Sequence, residues 1–111
     1  MIPRYDLTSL AYMAYSLAAS KGFWDDEPNL GEKIALIHSE LSEALEEVRA
    51  GHAPDEVYWV DGKPEGLPIE LADAVIRIAD LCGYYGIDLN AVVHQKIKYN
   101  QTRPIKHGKQ F

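Results

Sequence analysis

Apolar residues recur at intervals of three and four through most of the chain, and this spacing predicts four helices. The first runs from about Leu7 to Lys21, with Asp6 or Thr8 as its cap and Gly22 as its stop. Asn29 caps the second, with Glu32 three residues on in a capping-box arrangement, and this helix runs to about Ala50 before Gly51. Ile34, Ile37, Leu41, Leu45 and Val48 form its expected core stripe, and Glu40, Glu43 and Glu47 form the stripe beside it. Pro68 suits the first turn of the third helix, which is expected to end between Gly83 and Gly86. Asp88 caps the fourth, about Leu89 to Asn100, whose core face is Leu89, Val92, Val93 and Ile97. Pro104 bars its further extension.

Between the second and third helices lies a long connection, residues 52–67, and its Asp61-Gly62 step suits the turn of a small β-hairpin. The expected fold is all-α: one domain over residues 1–111, built as a four-helix bundle with this long loop. The third helix stands out. From Pro68 to Cys82 its only charged residues are Glu70, Asp73, Arg77 and Asp80, which fall within a stripe roughly 80° wide. Every other position there is apolar or small, so the helix is expected to be central and buried. Its charged stripe then lines a cavity or a seam to another subunit; the plainer alternative is a solvated edge in which Arg77 balances the acids. So much apolar surface on so short a chain also predicts an oligomer.

At 111 residues only a modest core is available. No apolar run approaches membrane-spanning length, and the start, MIPRYDLTSL, shows no signal segment, so a cytoplasmic protein without a membrane partner is expected. The single cysteine, Cys82, excludes an internal disulfide and reads as a small buried hydrophobe. A net charge of −6 argues against nucleic acid as a partner. The charge is uneven, however. Acids crowd residues 25–56, whereas from Lys96 to Phe111 the chain carries lysine and arginine and no acid. An acidic metal site with a basic tail suits a small polyanion bound through metal; a tail that only aids solubility is the simpler alternative.

The chemistry concentrates in two motifs. Glu40-Leu-Ser-Glu43 reads E-x-x-E and Glu70-Leu-Ala-Asp73 reads E-x-x-D. A spacing of three puts each pair on one helical face, so packing the two helices together converges four carboxylates. They repel and cannot be buried bare, and a hard divalent cation, Mg²⁺ with Mn²⁺ as a substitute, relieves both problems. No E-x-x-H motif of the di-iron bundles occurs, and His38 reads as a hydrogen-bonded structural histidine. Lys96, Asn100 and Arg103 stand at i, i+4 and i+7, matching groups for phosphate and sugar if the helix persists that far. Lys33, two turns before Glu40, reaches toward the same anion. No nucleophile constellation or phosphate-cradling glycine loop is present, which leaves metal-activated water as the expected nucleophile.

These motifs stand in an ordered series: Lys21-Gly-Phe-Trp-Asp25, Leu36-Ile-His-Ser-Glu-Leu-Ser-Glu-Ala44, Asp61-Gly-Lys-Pro-Glu-Gly66, Glu70-Leu-Ala-Asp73, Gly86-Ile-Asp88, and Tyr99-Asn-Gln-Thr-Arg-Pro104 with His107-Gly-Lys109. The series resembles the MazG-like nucleoside triphosphate pyrophosphohydrolases of the all-α NTP pyrophosphatase superfamily, over about residues 15–111. The resemblance implies Mg²⁺-dependent hydrolysis of an NTP or dNTP between its α- and β-phosphates, giving a nucleoside monophosphate and pyrophosphate. It implies that Glu40, Glu43, Glu70 and Asp73 are the catalytic metal ligands, one of them positioning the water. Lys96, Asn100 and Arg103 match the family's phosphate- and sugar-binding segment, and Lys109 extends the basic tail over the triphosphate. The family's habit implies a homodimer or dimer of dimers, with sites completed across subunits. Phe23, Trp24, Tyr58 and Trp59 are candidates to stack on the base, a core role being equally open for each. A dUTP- or dCTP-type pyrophosphatase, or a non-catalytic helical oligomerisation module, are the alternatives.

Overall fold

The computed structural model describes residues 5–108. It consists of α1 (Leu7–Ser20), α2 (Leu30–Arg49), β1 (Tyr58–Val60), β2 (Lys63–Glu65), α3 (Leu67–Tyr85) and α4 (Leu89–Gln101), followed by a 3₁₀ turn over Ile105–Gly108. Side chains start three of the four helices. Asp6 accepts the amide of Ser9, Asn29 that of Glu32 and Asp88 that of Ala91. Thr8 is not a cap. Its hydroxyl donates to Asp88 at 3.0 Å, and the Leu7 amide donates to Asn90 Oδ1 at 3.1 Å, so the starts of α1 and α4 are tied together.

The hairpin forms as the Asp61-Gly62 step suggests. β1 and β2 pair antiparallel, Val60 opposite Lys63, and the turn residues have φ of 51° and 81°. Positive φ at both central positions is the two-residue turn whose twist matches the strands.

α3 lies between α1 and α2 and packs on both; α4 packs chiefly on α1. The α1–α3 seam is made of small side chains: Ala11, Ala14, Ala79 and Cys82, flanked by Leu10 and Leu89. Gly83 belongs to this seam and does not end the helix, which continues to Tyr85 and stops at Gly86. A Cβ on Gly83 would stand 2.5 Å from the Ala11 carbonyl oxygen and 2.5 Å from the Tyr15 Cβ. The backbones of the two helices are therefore close enough that only glycine fits.

Three expectations about the core are corrected. The apolar stripe of α2 does not face the bundle: Ile34, Leu41, Leu45 and Val48 are all exposed, Val48 by 53%. The acidic stripe faces in instead, with Glu40 and Ala44 buried toward the interior. α3 is central, but its own stripe Leu71, Val75 and Ile78 is bare. The physical reason is length. One chain this short supplies two covering helices for α3, and the charged stripe occupies the covered side. α4 buries none of its residues, Val92 and Ile97 of its expected core face included. The chain accordingly exposes 8577 Å², against about 6,200 Å² for a compact monomer of its mass. Its radius of gyration is 16.3 Å, against about 13 Å for a compact chain of this length. His38 is also exposed, without the hydrogen bond expected of it among the described residues.

Gly83→Ala places a methyl group where backbone already stands. Alanine is the better helix former by about 1 kcal/mol, yet overpacking of this kind costs roughly 1–3 kcal/mol. The expected outcome is a lower Tm at fixed protein concentration; a higher Tm would show that the α1–α3 contact has room to spare.

Candidate metal centre and adjoining cavity

α2 and α3 bring their acidic stripes face to face. Glu40, Glu43 and Glu70 each offer a carboxylate oxygen, and the three oxygens lie within 4.8 Å of one another. Glu40 and Glu70 are buried, while Glu43 stands at the open edge. Asp73, one turn on from Glu70, is half-buried and lines the same cavity as Glu40. All four acids of the two motifs therefore gather in one region, with Asp73 set slightly apart from the tight group of three.

The electrostatics show the strain of that gathering. The Glu70 carboxyl is pushed up to about 7, first by burial, then by its hydrogen bond with Glu43 and the charges of Glu43, Asp73 and Glu40. Asp73 is raised too, by burial and then by Glu40 and Glu43, with Arg77 and Lys63 pulling the other way. Arg77 is the one strong compensating contact: its Nε donates to Glu40 Oε1 at 2.7 Å. Glu70 Oε2 is buried with no hydrogen-bond partner. A buried acceptor without a donor is costly in its own right. Three converging carboxylates, one of which carries an orphaned oxygen, suit a hard divalent cation, which would cancel the repulsion and offer that acceptor a partner. Glu40, Glu43 and Glu70 would hold it, with Asp73 beside them.

A second acidic group shares Glu70. Glu47 and Glu65 each bring an oxygen within 4.8 Å of it. Tyr58 donates its hydroxyl to both oxygens of Glu47 at 2.9 Å, and this bond is the main cause of the phenol's rise to about 12. His52 stacks on the Tyr58 ring with centroids 4.6 Å apart. The hairpin thus braces the outer end of the acidic stripe. Sequence reasoning placed Glu47 on that stripe but gave it no role, and Glu65 lay hidden until the two-residue turn set it opposite Tyr58.

Beyond Glu40 and Asp73 opens a cavity of about 420 Å³ between α1, α2 and α3. Leu17, Leu36, Ile76 and Leu81 supply apolar wall, and Lys21, Lys33 and Arg77 supply positive charge. Trp24 lines it from the loop after α1, with its indole N–H donating to Asp80 Oδ1 at 2.8 Å. The Trp24 ring stacks on Tyr84 at 4.0 Å, and Lys33 Nζ stands 4.2 Å from its centroid. Lys33 also donates to the Phe23 carbonyl at 3.2 Å. Phe23 lines the cavity and is largely exposed, whereas Tyr58 and Trp59 stand on the hairpin and are not part of the cavity wall.

The α4 residues are elsewhere. α4 packs chiefly on α1, while the acids lie between α2 and α3. Lys96 and Arg103 both approach the Tyr99 ring, at 4.9 and 5.6 Å, and Arg103 lies just past the helix end at Gln101. Asn100 Oδ1 is buried without a partner. Lys109 lies outside the described residues. Lys96 and Asn100 therefore stand on a helix that packs chiefly on α1, not on the two helices that carry the carboxylates.

No family model, curated protein or solved structure matches the chain. The four helices with a small hairpin between the second and third have the general shape of the MazG-like fold. No helix is long and apolar enough to cross a membrane among the described residues.

The raised Glu70 carboxyl sets a pH dependence with a definite sign. Between its ordinary value of 4.5 and about 7 the folded state holds a proton that the unfolded chain has released. Stability then falls as pH rises through that window and stays lower above it. Without divalent cation, the Tm should be lower at pH 8 than at pH 5.5, and Glu70→Gln should flatten that difference. Added Mg²⁺ should raise the wild-type Tm more at pH 8 than at pH 6, because a proton competes for the same oxygen. Thermal melts with EDTA or Mg²⁺ at the two pH values measure all three.

Proposed function

We propose that this protein is a MazG-like, Mg²⁺-dependent nucleoside triphosphate pyrophosphohydrolase, cleaving between the α- and β-phosphates. The observation that carries the reading is the buried, partly orphaned carboxylate cluster opening directly onto an apolar cavity edged with cations. A pocket with apolar walls and a few convergent polar groups is the usual form of a small-molecule site. A carboxylate cluster at its mouth favours a ligand that arrives with metal, and a nucleotide has an apolar end and a polyanionic end to match.

A bound Mg²⁺ or Mn²⁺ would neutralise phosphate charge and make a water acidic enough to attack. The chain's own residues do the rest. Glu40, Glu43, Glu70 and Asp73 hold the ion and orient the water, one carboxylate taking up its proton. Arg77 balances Glu40 in the metal-free state, and Lys33 adds positive potential at the cavity edge. The leaving pyrophosphate gains charge in the transition state and needs further cations. We read Lys96, Asn100, Arg103 and Lys109 as meeting that need from a second subunit.

Assembly is the other half of the reading. The bare stripes Leu41, Leu45 and Val48 of α2 and Leu71, Val75 and Ile78 of α3 are surface that a second copy would cover. The excess exposed area, about 2,400 Å² over a compact monomer, is on the scale of obligate interfaces. A homodimer or dimer of dimers follows, and sedimentation as a monomer of 12.5 kDa at micromolar concentration would contradict it.

Pyrophosphate release from a panel of NTPs and dNTPs with Mg²⁺ tests the activity. Asp73→Asn should lower kcat/KM by about 100-fold or more, roughly 3 kcal/mol of transition-state stabilisation, while helical content stays unchanged. Turnover persisting in excess EDTA, or no turnover of any triphosphate, would sink the proposal; the second result would favour a non-catalytic oligomerisation module. Arg103→Ala should cost roughly 10–1000-fold. If α4 acts across subunits, mixing inactive Asp73→Asn with Arg103→Ala chains should restore part of the wild-type rate, because some mixed sites carry both native groups. No recovery on mixing subunits known to exchange would overturn the shared-site assignment.

A further inference from the structure

The cavity beside the carboxylates contains an acid that the proposed hydrolysis does not use. Asp80 lies two turns beyond Asp73 on the same face of α3, about 10.5 Å along the helix. Both residues line the cavity. That separation is comparable with the span of a nucleotide from its α-phosphate across the sugar to the far edge of the base. The wall between them is Ile76 on α3, with Leu36 facing from α2 and Leu17 from α1.

Asp80 is held in one orientation. Trp24 donates its indole N–H to Oδ1 at 2.8 Å, and the Trp24 ring is itself fixed by stacking on Tyr84. The second oxygen, Oδ2, accepts from no described residue. Lys33 and Arg77 are near enough for their charges to act on Asp80, but neither forms an ion pair with it among the described residues. The result is an oriented acceptor lining a largely apolar-walled cavity, with the lone pairs of Oδ2 unspent.

We propose that this cavity holds the nucleobase and that Asp80 Oδ2 selects bases with an exocyclic amino group, cytosine or adenine, over uracil, thymine or hypoxanthine. The assignment rests on the pyrophosphohydrolase reading for the presence of a nucleotide. The reason for selection is desolvation. An amino group donates to Oδ2 as the base enters. A carbonyl at the same position sets two acceptors against each other and leaves Oδ2 of the half-buried carboxylate without a donor as the base excludes water. Trp24 acts here as a positioning residue for Asp80, and the exposed Phe23 is the ring available to lie against the base.

The test compares nucleotide pairs that differ in one exocyclic group: CMP with UMP, and AMP with IMP. Trp24 fluorescence in a Trp59→Phe background reads the cavity directly, because Trp59 is not part of its wall. With Mg²⁺ present, the wild-type cavity should bind CMP over UMP, and AMP over IMP, at least about tenfold more tightly. Asp80→Asn keeps an acceptor for Trp24 and replaces the free oxygen with a donor. It should therefore erase or invert both preferences, in product binding and in the kcat/KM ratio of CTP to UTP. Equal binding within both wild-type pairs, or unchanged preferences in a folded Asp80→Asn, overturns the base assignment. Turnover without any such preference leaves the hydrolase reading standing and removes this one. Selective CMP or AMP binding without turnover of any triphosphate does the reverse.

Discussion

Repulsion among the carboxylates between α2 and α3 is the constraint from which the rest of the structure follows. Glu40, Glu43 and Glu70 are held within 4.8 Å by helices that pack on each other, and desolvation amplifies their mutual repulsion. Arg77 relieves Glu40 but leaves Glu70 with an orphaned oxygen. Such an arrangement is poor as a piece of core and well suited to holding a cation. Stability is given up at this seam, and the small-residue packing of α1 on α3 offsets part of that loss.

The same constraint decides which way the helices face. α2 has adjoining acidic and apolar stripes, and only one of them can meet α3. Turning the acids inward builds the site and leaves Ile34, Leu41, Leu45 and Val48 bare. α3 shows the same trade, with Glu70 buried and Leu71, Val75 and Ile78 outside. The gathered carboxylates and the bare apolar surface are then two consequences of one rotation. A chain that hid its apolar stripes alone would separate its carboxylates, and a chain that gathers its carboxylates leaves apolar surface bare.

Along α3 the charged stripe carries a sequence of distinct tasks. Glu70 and Asp73 meet α2, Arg77 crosses to Glu40, and Asp80 ends the row under the Trp24 indole. Each step is one turn, so one helical face runs from the carboxylate end of the cavity to its far wall. The hairpin contributes from outside this row. Tyr58 clamps both oxygens of Glu47, which keeps the outer end of the acidic stripe in register.

Periodicity and punctuation alone determined the four helices, the Asp6, Asn29 and Asp88 caps and the Asp61-Gly62 hairpin, because each depends on residues a few positions apart. The two three-spaced acid motifs were equally legible, since helical geometry puts such a pair on one face whatever surrounds it. Which stripe faces inward was not legible. An amphipathic pattern marks an apolar stripe but not which of two adjoining stripes a neighbouring helix covers, and the expected α2 core stripe is the one this chain leaves bare. The end of α3 within Gly83–Gly86 was legible, but glycine signals both chain ends and close approach, and only the position of Ala11 across the seam shows that Gly83 serves the second and Gly86 the first. Lys96 and Asn100 share α4 as their spacing suggests, whereas Arg103 lies past its end, and the distance of all three from the acids depends on where α4 docks. Asp80 shows the division most plainly. Its place on the charged stripe follows from the sequence, whereas its free oxygen and its indole partner arise only when the loop after α1 folds over α3. Local spacing is set by covalent geometry and is therefore written in the chain, while contacts between distant segments depend on how much surface the whole fold has left to cover.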